Sequence, residues 1–226
     1  MEQITIALAG QPNVGKSSLI NAISNAKLKV GNFSGVTVDK TEVEFNICDE
    51  VSCKDYEVHI IDLPGAYSLT EYTIEEKVTK SFLQSDEYDI IVNVVDSTNL
   101  QRNLLFTTQL LETGKKVVVA LNMDDEAQKE GIKIDEKQRY AILGVPCIKT
   151  SAAQKIGIEA LKAAIIEVYE KEETGAKVIY SDPIEEEIET IVTFLKEKNY
   201  KSTLPYRHLA VRLLQEDTDV YKKMHD

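Results

Sequence analysis

The chain is short of positive charge. Its 226 residues carry 26 Lys and Arg against 38 Asp and Glu, a formal net charge of −12. Sequence-independent nucleic-acid binding needs a basic footprint, and docking on anionic lipid needs a basic patch. The balance disfavours both, and no nucleic acid is expected as a partner. The carboxylate surplus reads as a solubility feature rather than a cation site. Long apolar runs are also missing: none approaches the ~18 residues of a membrane span, and Ile90-Ile91-Val92-Asn93-Val94-Val95 reads as a core strand. No signal peptide is expected, because a strand begins by residue 3. Cysteine is scarce and odd in number (Cys48, Cys53, Cys147), which fits a reducing compartment. Cys48 and Cys53 flank a hairpin turn at 49–52 and read as plain thiols rather than a metal pair. His59, His208 and His225 share no ligand spacing, and His59 reads as structural.

What is present begins near the N-terminus. Gly10-Gln11-Pro12-Asn13-Val14-Gly15-Lys16-Ser17 fits the phosphate-loop pattern, two glycines followed by Lys-Ser. An alternating apolar strand, Ile4 to Ala9, precedes it, and a helix opening Ser18-Leu19-Ile20 follows. Glycines let backbone N–H groups wrap phosphate oxygens, and the helix N-terminus adds a positive dipole end. Lys16 supplies a point charge to the β- and γ-phosphates, and the Ser17 hydroxyl can ligate Mg²⁺.

The apolar run Val117 to Leu121 has the character of a strand buried in a parallel sheet. It ends in Asn122-Met123-Asp124-Asp125. There the Asp125 carboxylate can accept from N1–H and the exocyclic amine of guanine, and Asn122 can bond the purine edge and the phosphate loop. Adenine lacks those donors and would leave Asp125 unpaired, at a cost of roughly several kcal/mol. Three further segments complete the set. In Asp62-Leu63-Pro64-Gly65, Asp62 can hold the Mg²⁺ shell through water and Gly65 can offer its N–H to the γ-phosphate. In Gly35-Val36-Thr37, the Thr37 hydroxyl can complete the Mg²⁺ sphere. In Thr150-Ser151-Ala152, backbone N–H groups can touch the base. The order and spacing of the five resemble GTPases of the translation-factor-related class.

The resemblance extends to one family. Val36-Thr37-Val38, the run from Asp62 to Leu69, the run from Val95 to Leu104 with its Asn-Leu-Gln-Arg-Asn-Leu, and Ala120 to Ala127 resemble the G domain of FeoB, the bacterial ferrous-iron transporter. Met123 in place of the usual Lys is part of that likeness. The similarity is strong over about residues 3–170 and continues weakly into Tyr206 to Leu214, which resembles the start of the family's helical subdomain. It implies GTP and GDP as ligands, Mg²⁺, and a slow GTPase activity. It also implies a membrane iron-permease region as partner in a longer polypeptide, on the cytoplasmic face of a bacterial membrane, with homo-oligomers possible. It further implies K⁺ bound by Asn13 and by backbone carbonyls of the loop 31–35, among them Gly31 and Phe33. With Ala66 where a water-orienting glutamine is usual, such a K⁺ would act as an electrostatic stand-in for an arginine finger, which is worth ~10³–10⁵ in rate. Asn13, Lys16, Thr37 and Gly65 are then the catalytic set, with residues 27–39 and 62–75 as switches. Two other readings remain: a K⁺-stimulated GTPase of ribosome or tRNA maturation, like the Era and TrmE relatives, and a sensor that binds guanine nucleotide without fast turnover.

The expected fold is α/β, a P-loop GTPase with a mostly parallel six-stranded sheet and helices on both faces. Strands are expected near 3–9, 38–47, 57–61, 89–95, 116–122 and 145–148, the second and third antiparallel. The G domain is expected over 1–172, a linker over 173–182, and a helical subdomain, cut short, over 183–226. Its helices are expected at about 183–198, 203–215 and 217–225. Glu185-Glu186-Glu187 reads as a solvated face near a helix N-terminus.

Overall fold

The alternation of apolar residues along the central strands is the origin of a two-faced sheet in the computed structural model of the chain. It describes residues 2–24, 29–33, 36–49, 54–69, 73–85, 87–171, 178–202, 205–216 and 221. The strands are β1 (Glu2–Gly10), β2 (Lys29–Asn32), β3 (Asp39–Asp49), β4 (Lys54–Asp62), β5 (Ile90–Asp96), β6 (Lys116–Asn122) and β7 (Cys147–Lys149). They form one sheet in the order β2-β3-β4-β1-β5-β6-β7. β3 runs antiparallel to β2 and β4, and the other pairings are parallel.

Successive side chains of a strand point to opposite faces, and the sheet's two cores divide accordingly. Ile4, Ile6 and Leu8 of β1, with Ile90, Val92 and Val94 of β5, face the helices α1 (Lys16–Ile23) and α6 (Ile158–Glu170), whose Leu19, Ile20, Leu161 and Ile165 close that core. Ala7, Ala9, Ile91, Val95 and Leu121 face the other way, toward α2 (Ile74–Leu83) and α3 (Leu100–Leu111), which contribute Phe82, Leu83, Phe106 and Leu110. Full burial of each such side chain stabilises the fold by roughly 1.5–3 kcal/mol. α4 (Asp124–Lys129) and α5 (Glu136–Leu143) flank β6 and β7.

The expected doubly covered parallel sheet is therefore present, with a seventh strand in addition to the six expected. β2 is exposed at all four positions and sits at the sheet edge. A strand with no buried face leaves no hydrophobic period to read, and β2 is held by its ladder to β3 and by the Lys29–Glu44 pair at 2.9 Å.

Two helices lie C-terminal to this unit, α7 (Asp182–Glu197) and α8 (Tyr206–Leu214). Ile188, Ala210 and Val211 form a small core between them. Arg207 donates from Nη1 and Nη2 to the Glu185 carboxylate at 2.8 and 2.7 Å, and from Nη2 to the Val178 carbonyl at 2.6 Å. Glu185 is thus a paired, half-buried group, while Glu186 and Glu187 are exposed as expected of a solvated face. The pair is joined to the sheet domain where Tyr180 meets Glu112 just after α3. Burial and that carboxylate push the Tyr180 phenol up to about 12. Of the expected third helix at 217–225 all but Tyr221, of the expected turn at 49–52 residues 50–52 together with Cys53, and of the expected linker residues 173–177 lie outside the described residues. No helix among the described residues is long and apolar enough to cross a membrane.

Candidate functional site

β4, β1, β5 and β6 are successive parallel strands, so Asp62, Gly10 and Asn122, which end β4, β1 and β6, lie along the same C-terminal end of the sheet. That end is where open α/β sheets take their ligands. The phosphate-loop segment crosses it between β1 and α1. Its backbone is folded back on itself, with φ of +66° at Asn13 and +84° at Gly15. Gly15 caps α1, and its carbonyl accepts the Leu19 N–H at 2.9 Å. A side chain at Gly15 would meet both the positive φ and the Asn122 amide nitrogen. Pro12 and Lys16 are half-buried, Val14 is buried, and Asn13, Ser17 and Ser18 are exposed at the mouth of the loop.

Asn122 fastens three segments together. Its Nδ2 donates to the Val14 carbonyl at 2.9 Å, and its Oδ1 accepts from Ala152 N–H at 3.1 Å and Thr150 Oγ1 at 3.3 Å. It is 2% exposed. The sequence offered Asn122 both the purine edge and the phosphate loop, and the bond to the loop is present at Val14. Met123 follows in the left-handed region at φ +60°, its side chain lying toward Gly15, and α4 starts from it. This turn aims Asp125 away from the helix axis toward the 150–156 loop. The Ser151 side chain bonds Asp125 and is the main reason that its carboxyl is held below the ordinary carboxylate range, with Lys129 a smaller cause. Asp125 Oδ2 also accepts from Gln154 Nε2 at 3.1 Å and lies 3.7 Å from Lys129 Nζ. Ser151 and Ala152 are buried beside Asn122.

The segment after β4 packs on the phosphate loop. Leu63 N–H donates to the Leu8 carbonyl at 2.9 Å and Ala66 N–H to the Gly10 carbonyl at 3.2 Å, while Gly65 lies against Pro12. The Pro64 carbonyl accepts from Thr79 Oγ1 at 3.0 Å. Asp62 Oδ1 is buried, has no hydrogen-bond partner, and lies 3.9 Å from Lys16 Nζ. Burial lowers the Lys16 pKa and raises that of Asp62 to about 6, in each case outweighing the attraction between the two. An unpartnered buried carboxylate oxygen suits a hard, oxygen-seeking cation such as Mg²⁺.

Thr37 is exposed and Val36 half-buried between β2 and β3. Gly35 and Ser34 lie outside the described residues. The remaining K⁺-loop residues are held in the hairpin: Gly31 pairs with Lys40, the Phe33 carbonyl accepts Val36 N–H at 3.3 Å, and the Phe33 ring packs edge-on against Phe82.

Several contacts had no local signal in the sequence. Gln11 is buried and donates to the Arg102 carbonyl at 2.8 Å, so it does not face the loop's interior. The Arg102 guanidinium lies 4.7 Å over the Tyr67 ring, and Leu69 N–H donates to Gln109 Oε1 at 2.9 Å. Arg102 belongs to the Asn-Leu-Gln-Arg-Asn-Leu run, which the sequence offered as a family marker without a role.

Comparison with known proteins agrees with this geometry. Residues 4–165 match the family model described as ferrous iron transport protein B, and residues 180–226 match that of the FeoB cytosolic helical domain. The Fe(2+) transporter FeoB of Helicobacter pylori (strain ATCC 700392 / 26695) is 50% identical over 218 residues, which is 95% of this chain and 31% of that protein. The chain thus spans about a third of that relative's length. The crystal structure of the cytosolic domain of the T. maritima FeoB iron transporter in a GDP form is 36% identical with a TM-score of 0.89, covering 99% of this chain and 84% of that one. The same domain in a GMPPNP form is 37% identical with a TM-score of 0.88, covering 97% and 84%.

Proposed function

Because the chain belongs to the FeoB family of ferrous iron transport proteins, we propose that it is the guanine-nucleotide-binding and GTP-hydrolysing domain of such a transporter. The observation that carries this reading is the Asn122 junction, which locks the phosphate loop at Val14 to the 150–152 segment, with Asp125 beside that segment. Backbone N–H groups of 10–18 and Lys16 hold the phosphates, and Asp125 reads the guanine edge with the backbone of Ser151 and Ala152. Met123 lines the base pocket where a longer cation would otherwise support the base, so modest affinity is expected. Ser17, Thr37 and Asp62 fit Mg²⁺, the last through water, which would neutralise charge between the β- and γ-phosphates.

Hydrolysis by this chain rests on backbone groups. Ala66, 1% exposed, has no polar atom to orient water, and Gln11 is turned into the fold toward Arg102. The Gly65 N–H and Thr37 are left to position the attacking water, with a slow rate expected. Asn13 and the carbonyls of Gly31 and Phe33 would hold K⁺ in this reading, where its charge would supply what an arginine finger does. The segments 27–39 and 62–75 act as switches, and residues 183–226 carry their state toward a membrane iron-permease region on the cytoplasmic face. The division into 1–172, 173–182 and 183–226, and any homo-oligomer, belong to the same proposal. The test is GTP turnover with Mg²⁺ in KCl and in NaCl at equal ionic strength, with Asn13→Ala beside the parent. Turnover in either salt supports the GTPase, and K⁺ stimulation lost in Asn13→Ala adds the cation role. Binding without turnover would leave the nucleotide-sensor reading.

A further inference from the structure

The Asp125 carboxylate is already engaged by donors from the protein. Gln154 Nε2 donates to Oδ2 at 3.1 Å and Lys129 Nζ lies 3.7 Å from the same oxygen. The placement of Gln154 is not that of a loose surface side chain. The 151–156 turn is closed in both directions, Ser151 N–H to the Ile156 carbonyl at 3.0 Å and Ile156 N–H to the Ser151 carbonyl at 3.1 Å. The Gln154 N–H donates to Ser151 Oγ at 3.3 Å, and Ser151 itself bonds Asp125. Lys155, next in line, takes a positive φ of +56°, which tightens the turn. The result is a ring of Asp125, Ser151 and Gln154 that presents a primary amide to the carboxylate.

A carboxamide NH₂ is the same kind of donor as the exocyclic amine of guanine. We propose that Gln154 is a built-in competitor for the base site: it occupies the Asp125 oxygen that guanine must take, and so lowers guanine-nucleotide affinity and favours release. This inference rests on Asp125 being the guanine-reading carboxylate. The competition is thermodynamic. Guanine gains its bonds to Asp125 only after the Gln154 bond is given up, so removing that bond raises the free energy of the empty site and leaves the filled one unchanged. Both nucleotides share the base, so GDP and GTP affinities must shift by one factor.

The experiment measures GDP and a non-hydrolysable GTP analogue by calorimetry on the full 226-residue chain with Mg²⁺. The variants are Gln154→Ala, Gln154→Asn and Asp125→Asn. Gln154 is exposed, and the first two variants keep the backbone N–H that bonds Ser151. The Asn variant keeps an amide on a stem too short to reach. Both Gln154 variants are expected to tighten GDP and the GTP analogue alike, by roughly three- to tenfold, as suits an exposed charge-assisted hydrogen bond. Unchanged or weaker binding in Gln154→Ala, with Asp125→Asn having lost GDP and gained xanthosine diphosphate, overturns the competitor role and leaves the base reading intact. If Asp125→Asn binds GDP like the parent, the base reading fails, and the competitor role with it.

Discussion

Replacing Asn122 by Ala tests the junction on which the site is built. The side chain is 2% exposed and makes three hydrogen bonds, to the Val14 carbonyl, the Ala152 N–H and the Thr150 hydroxyl. Each is worth about 1 kcal/mol net, and the backbone partners left behind are themselves buried. The loss is therefore expected at about 2–4 kcal/mol. For a domain of this size that lowers Tm by roughly 5–15 °C. Val14 lies within the phosphate loop, so the same substitution releases the loop's conformation, and GDP affinity should fall at least about tenfold, equal to ~1.4 kcal/mol. Asn122→Asp separates the two halves of the contact. It keeps an oxygen for Ala152 and Thr150 and turns a carboxylate oxygen toward the Val14 carbonyl, so it should bind GDP no better than Asn122→Ala. Thermal unfolding by circular dichroism, followed by calorimetric titration with GDP, reads both effects. If Asn122→Ala melts within about 1 °C of the parent and binds GDP equally well, the three bonds do not hold the site together and the reasoning is wrong.

Two other perturbations follow from the 150–157 loop. Gly157→Ala should destabilise by about 1–3 kcal/mol in urea unfolding, because φ is +76° and a methyl group there would be driven into the Lys149 carbonyl oxygen; GDP affinity should fall with it. Ser151→Ala should move the acid limit of GDP binding upward. Asp125 is held low chiefly by Ser151, so its contribution is present above the ordinary carboxylate pKa and disappears as pH falls through the depressed value. Without Ser151 that loss begins at a higher pH, read as an upward shift of the midpoint of affinity against pH from below the ordinary aspartate value of ~3.9 toward it; coincident midpoints would refute the assignment.

The parts of the site that could be read from the sequence are those in which a short string sits at a strand end. The phosphate loop, Asp62-Leu63-Pro64-Gly65 and Asn122-Met123-Asp124-Asp125 each close a buried strand, and a buried strand announces itself by apolar residues. The remainder depends on pairs far apart in the chain. Gln11 and Arg102 are separated by 91 positions, and Asp125 and Gln154 by 29; neither partner has a composition or period that marks the other. Met123 was legible as a substitution for Lys but not as a left-handed residue. That conformation is required by the sharp turn from β6 into α4, and propensity alone assigns it to Gly or Asn. β2 failed for the opposite reason, being regular in hydrogen bonding and featureless in burial.

The electrostatics of Lys16 and Asp62 bind these pieces into one requirement. A good ion pair raises a lysine pKa and lowers an aspartate pKa. Here both move the other way, because at 3.9 Å the attraction does not offset the water each has lost. The fold therefore keeps two charges under strain, at the start of α1 and the end of β4, and neither fully relieves the other. A polyanionic phosphate at Lys16 relieves the first but adds negative charge near the Asp62 oxygen that has no hydrogen bond. A divalent cation at Asp62 relieves the second but opposes Lys16. Only the two together satisfy both groups, so nucleotide and divalent cation must each raise the other's affinity by the same factor. Gln154 acts at the far end of the same site, on the base, where no such mutual demand exists. Base affinity can thus be lowered there without loosening the phosphate end, which lets a domain of this kind release its nucleotide while keeping its phosphate loop in shape.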